Sequence, residues 1–335
     1  MDVGAWLHYL PRGKGSLEED LEPAWVNLYC FPHAGGGEHA YAAWGDILSK
    51  NVQCVAVNMP GRGSRMAEPA VSDLPTLVGH IADAVFLDPA PAAFFGHSFG
   101  AIVAFEVAVE LKRRGCKGPS IIFASSHRAP TEYPDDKSRL GDIDDDEALL
   151  ATSQQFGLLS DAEMHRLAKS PDLLSVVLPP LRNDLKMARD YAGCSVQLDA
   201  PIVALGGDSD AWCATSDLSG WGRLTTNAGS GTTAAAVNIF PGGHFYFSTK
   251  RRGSLSDSNS PPEHPPQLMQ LLDLVGRELA STVARLPRSV CDGGDDDYNG
   301  DVPYTVNELF MRQVRTIPSS SSSSSLFALR LTSCS

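Results

Sequence analysis

Gly96-His97-Ser98-Phe99-Gly100 sets a serine between two glycines, after the apolar run Ala92–Phe95 and before the helix-forming stretch Ala101–Arg114. A sharp strand-to-helix turn of this kind pushes a serine Oγ outward, in strained backbone that small neighbours tolerate. The glycines remove side chains that would strike the adjoining strand and helix, and the helix N-terminus faces any negative charge that develops there. The predicted role of Ser98 is nucleophile. Such a serine needs a base, and the base needs an acid to orient it. His244, in Gly242-Gly243-His244-Phe245, directly follows the apolar run Val237–Phe240 and is the predicted base. The run Pro201–Leu205 ends at Gly206-Gly207-Asp208-Ser209-Asp210, which offers two carboxylates. The spacing from Gly207 favours Asp210 as the orienting acid. Asp208 is the runner-up and can instead tie the turn through its own backbone.

A tetrahedral oxyanion needs backbone donors, and Phe31-Pro32-His33-Ala34-Gly35-Gly36-Gly37 follows the first strong apolar run. By position, the N–H groups of Ala34 and of Phe99, the residue after the nucleophile, form the expected oxyanion hole. His33 reads as a loop-shaping residue. The triple glycine is no phosphate cradle, because the G-x-x-x-x-G-K-[ST] spacing is absent.

The elements that must position these residues are strand-length apolar runs at Val26–Phe31, Val52–Asn58, Ala92–Phe95, Ser120–Ala124, Pro201–Leu205 and Val237–Phe240. Helical segments alternate with them at Tyr41–Leu48, Leu74–Phe86, Ala101–Arg114 and Asp217–Leu224. Near-continuous apolar strands separated by helices belong to a parallel sheet covered on both faces. The order nucleophile, acid, histidine, with acid and base after the last strands, is that of the α/β-hydrolase fold. Residues 130–195 carry helix-like stretches (Asp145–Gln155, Asp161–Ala168, Asp172–Val177, Leu181–Tyr191) and no convincing strand, which predicts a helical lid over the strand ends. Pro266–Leu286 carries a helical apolar stripe that closes the domain, expected to span 1–286. A Gly/Thr loop at Asn227–Thr233, the polar stretch Thr249–Pro265 and a tail over 287–335 with seven serines at Ser319–Ser325 are expected to be disordered.

A formal net charge of −13 argues against nucleic acid as the partner. The acidic clusters at Asp142–Glu147 and Asp292–Asp297 read as solvated loop and tail. No apolar run reaches the roughly 18 residues that suggest a membrane helix. The N-terminal stretch lacks a basic region followed by an apolar one, so a cytoplasmic protein without a secretory signal is expected. The seven cysteines (Cys30, Cys54, Cys116, Cys194, Cys213, Cys291, Cys334) are odd in number and lack CxxC spacing, which fits free thiols better than disulfides or zinc. No cofactor and no metal are implied.

With these residues in hand, the chain resembles the type II thioesterases of polyketide and nonribosomal peptide synthesis, and the related medium-chain thioesterase of fatty acid synthase. The resemblance rests on Cys30–Gly36, Met59-Pro60-Gly61-Arg62-Gly63-Ser64-Arg65, Gly96–Gly100, Leu178-Pro179-Pro180-Leu181-Arg182-Asn183-Asp184, the Asp217–Thr225 segment with Trp221, and Phe240–Phe245. It covers about residues 5–248 and implies a monomeric enzyme that hydrolyses acyl groups from the phosphopantetheine thiol of a carrier protein. Editing of stalled synthases and release of fatty acids are the two roles it implies. A carboxylester hydrolase or acyltransferase of the same fold remains an alternative reading, as does a non-catalytic module that binds an acyl chain or carrier. Carrier proteins are usually acidic, so docking should rely on local basic groups. Arg62 and Arg65 are candidates, as are Lys112, Arg113 and Arg114, although the last three also suit a helix C-terminus.

Overall fold

The computed structural model describes residues 3–12, 24–132, 140–155, 157, 159, 161–227, 236–248 and 264–285. Seven strands form one sheet: β1 (Leu7–Tyr9), β2 (Val26–Phe31), β3 (Val52–Val57), β4 (Ala92–His97), β5 (Ile122–Ser125), β6 (Ile202–Gly207) and β7 (Ala236–Phe240). Their spatial order is β1-β3-β2-β4-β5-β6-β7, with β1 antiparallel and every other pair parallel. The three-residue β1 was not expected from the sequence. It is too short to carry an alternating pattern, and a carboxylate helps to hold it. Asp88 Oδ2 accepts hydrogen bonds from Tyr9 and Tyr29 hydroxyls at 2.6 Å and from Asn27 at 2.7 Å.

Seven helices flank the sheet among the described residues: α1 (Trp44–Ile47), α2 (Leu74–Leu87), α3 (Phe99–Arg113), α4 (Asp146–Gln155), α5 (Asp161–Leu167), α6 (Pro171–Asp190) and α7 (Pro266–Arg285). Alternating strand residues split the core in two. Tyr29, Phe31 and Phe94 face one cluster with Ile81, Phe105, Leu181 and Trp221. Leu28, Cys30 and Phe95 face the other, with Trp44, Leu271, Leu272 and Val275. Strands buried on both faces read as unbroken apolar runs, which is why their positions were legible. Asn227–Thr233, Thr249–Pro265 and the 287–335 tail lie largely or wholly outside the described residues. Cys291, Cys334 and the Asp292–Asp297 cluster lie wholly outside them.

The helices between β5 and β6 depart from the sequence reading at one point. Asp172–Val177 and Leu181–Tyr191 belong to one helix, α6, which runs through Pro179 and Pro180. Each proline lacks the N–H that would bond one turn back. Burial of Leu178, Leu181 and Leu185 in the core holds both halves to one axis. The acidic cluster at Asp142–Glu147 has its carboxylates exposed, as expected, and two of them also pair with α6: Asp146 with Arg182, and Asp144 with Lys186 at 2.5 Å.

Arg62 and Arg65 are not docking groups. Arg62 is 6% exposed and forms a two-pronged ion pair with the fully buried Asp184 of α6, one prong at 2.8 Å. Arg65 gives its guanidinium to Glu68 and to the Asn58 carbonyl, and lies over the Trp6 ring. Neighbouring carboxylates use these charges internally, a pairing that sequence spacing does not reveal. Lys112, Arg113 and Arg114 are likewise engaged, by Gln197 and Asp199, by Glu110, and by Glu110 and Asp83.

The Asp184 carboxylate also accepts the Gly35 N–H at 2.9 Å, and Arg62 reaches the Gly36 carbonyl at 3.3 Å. One buried ion pair therefore fastens α6 to the glycine-rich loop after β2. Removing one partner leaves the other charge buried and unpaired, which costs about 3–5 kcal/mol. Urea unfolding of Asp184→Ala and of Arg62→Met should each show a loss of that order. The Arg62→Met/Asp184→Leu double variant should lose clearly less than the sum of the two.

Candidate active site

The chain runs from β2 to β3 on one side of the sheet, then crosses to lay β4 on the other side of β2. The loops after β2 and β4 therefore diverge at a topological switch point, where crevices open at the carboxyl ends of parallel strands. Ser98 directly follows β4 with φ 56° and ψ −123°, a positive φ rare for a side-chain-bearing residue, and α3 starts at Phe99. A Cβ on Gly100 would lie 2.1 Å from the Phe31 carbonyl oxygen, and one on Gly96 would lie 2.3 Å from the Gly100 oxygen. Only glycine permits these approaches, and they fix the turn that presents Ser98. Phe99 is the first residue of α3, so its N–H has no partner within the helix. Across the switch point, Ala34 lies in a loop pinned by its neighbours: Gly35 N–H goes to Asp184 and Gly36 N–H to the His33 carbonyl at 2.9 Å.

After β6 and β7, the structure brings His244 and Asp210 together. His244 Nδ1 lies 3.1 and 3.0 Å from the two carboxylate oxygens of Asp210, with side chains 3% and 0% exposed. An imidazole that donates from Nδ1 keeps Nε2 as an acceptor. Burial alone would raise the Asp210 carboxyl. The hydrogen bond and charge of His244, with the N–H groups of Trp212 (2.8 Å) and Cys213 (3.1 Å), outweigh it and hold the carboxyl below the usual range. Asp208 acts on the backbone instead. Its Oδ1 accepts the Gly242 N–H at 3.0 Å and the Ser209 hydroxyl at 2.9 Å, which braces the turn before His244.

Sequence reasoning missed the end of β5. Ser125 and Ser126 tie the loops of Ser98 and His244 together, although their strand supplies neither residue. The Ser125 carbonyl accepts the Ser98 N–H at 2.8 Å. The Ser125 hydroxyl lies 3.0 Å from His97 Nδ1 and 2.9 Å from the Tyr246 hydroxyl. Ser126 takes φ 49°, the only other positive φ of a non-glycine residue among those described, and its hydroxyl donates to the His244 carbonyl at 3.3 Å. The adjacent serine pair at a strand end was the available signal, but it follows no motif. Burial, with the nearby histidines, holds His97 well below the ordinary histidine range, and burial pushes His127 down to about 4. Both rings are therefore neutral at pH 7 and add no competing cation beside His244.

Among the described residues, no group of three or more histidine, cysteine or acidic side chains could hold a metal ion. No described helix is long and apolar enough to cross a membrane.

Residues 26–258 match the family described as the thioesterase domain. The chain is 35% identical over 250 residues to thioesterase PikA5 of Streptomyces venezuelae, covering 74% of this chain and 82% of that one. It is 30% identical to the gramicidin S biosynthesis protein GrsT of Aneurinibacillus migulanus, over 66% of this chain and 83% of that one. Among solved structures, the thioesterase RedJ from the prodiginine pathway of Streptomyces coelicolor superposes with a TM-score of 0.63 at 30% identity, over 80% of this chain and 92% of that one. The type II thioesterase BorB from the borrelidin cluster does so with a TM-score of 0.62 at 25% identity, over 83% and 98%. The chain belongs to the thioesterase domain family and is an enzyme of the α/β-hydrolase fold that hydrolyses thioesters.

Proposed function

We propose that Ser98, His244 and Asp210 form the catalytic triad, and that its substrate is an acyl group carried on the phosphopantetheine thiol of a carrier protein. The observation that carries this reading is the buried His244–Asp210 pair, which shares one end of the sheet with the strained turn at Ser98. The kinds of pathway support the substrate: relatives are named for gramicidin S biosynthesis and for S-acyl fatty acid synthase thioesterase activity.

His244 Nε2 takes the Ser98 proton as Oγ attacks the thioester carbonyl. The oxyanion rests on the Ala34 and Phe99 amides. The C–S bond then breaks and the thiol leaves with the proton held by His244. Water, deprotonated by His244, attacks the acyl–Ser98 ester, and collapse returns the proton to Ser98 and frees the carboxylic acid. Asp210 fixes the imidazole tautomer and stabilises the imidazolium. The helices between β5 and β6 serve as the lid, with the acyl chain beneath α6.

Loading a phosphopantetheinylated carrier with acetyl, hexanoyl and decanoyl groups, and following deacylation by intact mass spectrometry, tests the reading. Ser98→Ala should leave only spontaneous loss. Wild-type protein that is folded yet removes no acyl group above that background would overturn it. In the same assay Asp210→Asn should lower kcat by about four orders of magnitude, the loss that follows when a triad histidine is held in the wrong tautomer. Asp208→Asn, which touches only the turn, should cost far less, and equal losses would reject the assignment of the acid.

Ser126 is a positioning residue, and its contribution is separable from stability. Ser126→Ala and Ser126→Gly both remove the bond to the His244 carbonyl, whereas only the glycine relieves the positive φ. Both should lower kcat about three- to tenfold at unchanged KM, the rate equivalent of a hydrogen bond of about 0.5–1.5 kcal/mol. The glycine variant should melt higher than the alanine variant. Wild-type kcat in either variant would remove the role.

A further inference from the structure

Three glycines in a row, Gly35-Gly36-Gly37, impose no backbone geometry of their own, so the loop that carries the Ala34 N–H must be shaped from outside. It leaves β2 against the nucleophile turn: a Cβ on Gly100 would lie 2.1 Å from the Phe31 carbonyl oxygen and 2.6 Å from that of Pro32. His33–Gly36 then form a tight turn, closed by the Gly36 N–H donating to the His33 carbonyl at 2.9 Å. Its third residue, Gly35, has φ 71°, and its second, Ala34, has no positive φ, which makes the turn type II. In a planar trans peptide the carbonyl and the following N–H point in opposite directions. With the His33 oxygen directed into the turn, the Ala34 N–H is directed out of it, and among the described residues it has no acceptor.

The closing hydrogen bond is common to type I and type II turns, which differ by a rotation of the central peptide, here Ala34–Gly35. What holds this turn as type II is therefore the partner of the Gly35 N–H. That partner is the Asp184 carboxylate of α6, at 2.9 Å, and a charged acceptor makes the stronger bond. Asp184 is fully buried and paired with Arg62, which also donates to the Gly36 carbonyl at 3.3 Å. Two of the peptides that follow Ala34 are thus each bonded to one member of a single ion pair. The backbone of α6 abuts the same turn: a Cβ on Gly35 would lie 3.0 Å from Leu181 Cβ and 3.2 Å from its Cα.

We infer that Asp184 is a positioning residue for the oxyanion hole: through the Gly35 N–H it holds the turn from which the Ala34 N–H faces the reacting carbonyl. The inference deepens the triad reading and rests on its assignment of Ser98 as nucleophile and Ala34 as donor. Helix α6 both covers the acyl chain and sets the donor, so the hole is complete only while α6 is docked on the loop after β2.

The test compares two ligands with one acyl tail. A trifluoromethyl ketone takes the Ser98 Oγ as a hemiketal, the serine proton passing to His244 and the oxyanion entering the hole. The matching thioether, with a methylene in place of the carbonyl, binds without an oxyanion. In Arg62→Met/Asp184→Leu, which removes both anchors of the turn and leaves no buried charge, ketone affinity and kcat should fall together by about ten- to a hundredfold. That is less than the roughly hundred- to thousandfold loss of a donor outright. KM and thioether affinity, which involve no oxyanion, should stay within about threefold. Gly35→Ala strains the positive φ and crowds Leu181 without touching the ion pair. It should show the same selective loss, and it keeps the test open if the double variant does not fold. Asp184→Asn, which keeps an oxygen for the Gly35 N–H, should retain more of kcat and ketone affinity than the double variant. Asn183→Ala removes a neighbouring tether of α6, the 2.7 Å bond to the Val71 carbonyl, and should leave both affinities at wild-type values. Wild-type ketone affinity in the folded double variant or in Gly35→Ala overturns the assignment, as does an Asp184→Asn variant no better than the double. Equal losses for ketone and thioether overturn it too, because Asp184 would then brace the pocket as a whole. Wild-type protein that forms no Ser98-dependent hemiketal would remove the nucleophile reading, and this assignment with it.

Discussion

A serine held at φ 56° does not stay there by its own preference, because such backbone costs on the order of 1–3 kcal/mol and persists only where its surroundings over-determine it. In this chain the surroundings are two neighbouring strand ends and the start of a helix. The end of β2 presses against Gly100 so closely that no side chain fits. The Ser125 carbonyl at the end of β5 takes the Ser98 N–H. Helix α3 starts at the next residue and cannot begin elsewhere without losing its burial against β2 and β4. Everything else at the site is referenced to this turn: the loop after β2 meets it at the switch point, and the loop after β7 is tied to it through Ser126 and His244.

The parts legible in the sequence were those governed by local spacing and by burial on both faces. The strands after β1 and the glycines beside Ser98 are of this kind, and so is the position of His244 after a terminal apolar run. The choice between Asp208 and Asp210 was open in the sequence because the two carboxylates are two residues apart on one turn. What separates them is the direction each side chain takes. Asp210 turns inward to His244 and two amides, and Asp208 turns to Gly242 and Ser209. Contacts between distant segments were not legible at all. The Arg62–Asp184 pair joins residues 122 positions apart, and the bond from Ser126 to His244 spans 118. Arg62 and Arg65 looked like surface cations because an arginine's spacing says nothing about a buried carboxylate elsewhere in the chain.

The same burial changes how a partner is recognised. The chain carries a formal net charge of −13, and the arginines flanking the glycine-rich loop are consumed inside it. The basic turn at the end of α3 is likewise paired with Glu110, Asp83 and Asp199. Long-range attraction of an acidic partner therefore finds little support in these groups, and electrostatic steering chiefly raises association rates.

The two core clusters bear on the site differently. Helix α6 is held to the rest of the chain by its ion pair with Arg62, by the Gly35 N–H to Asp184 and Asn183 to Val71 carbonyl hydrogen bonds, and by a row of buried leucines. The α1/α7 face shares its wall with the histidine loop itself. Phe245 sits next to His244 in the chain and touches it in space, so a change on that face moves the imidazole as well.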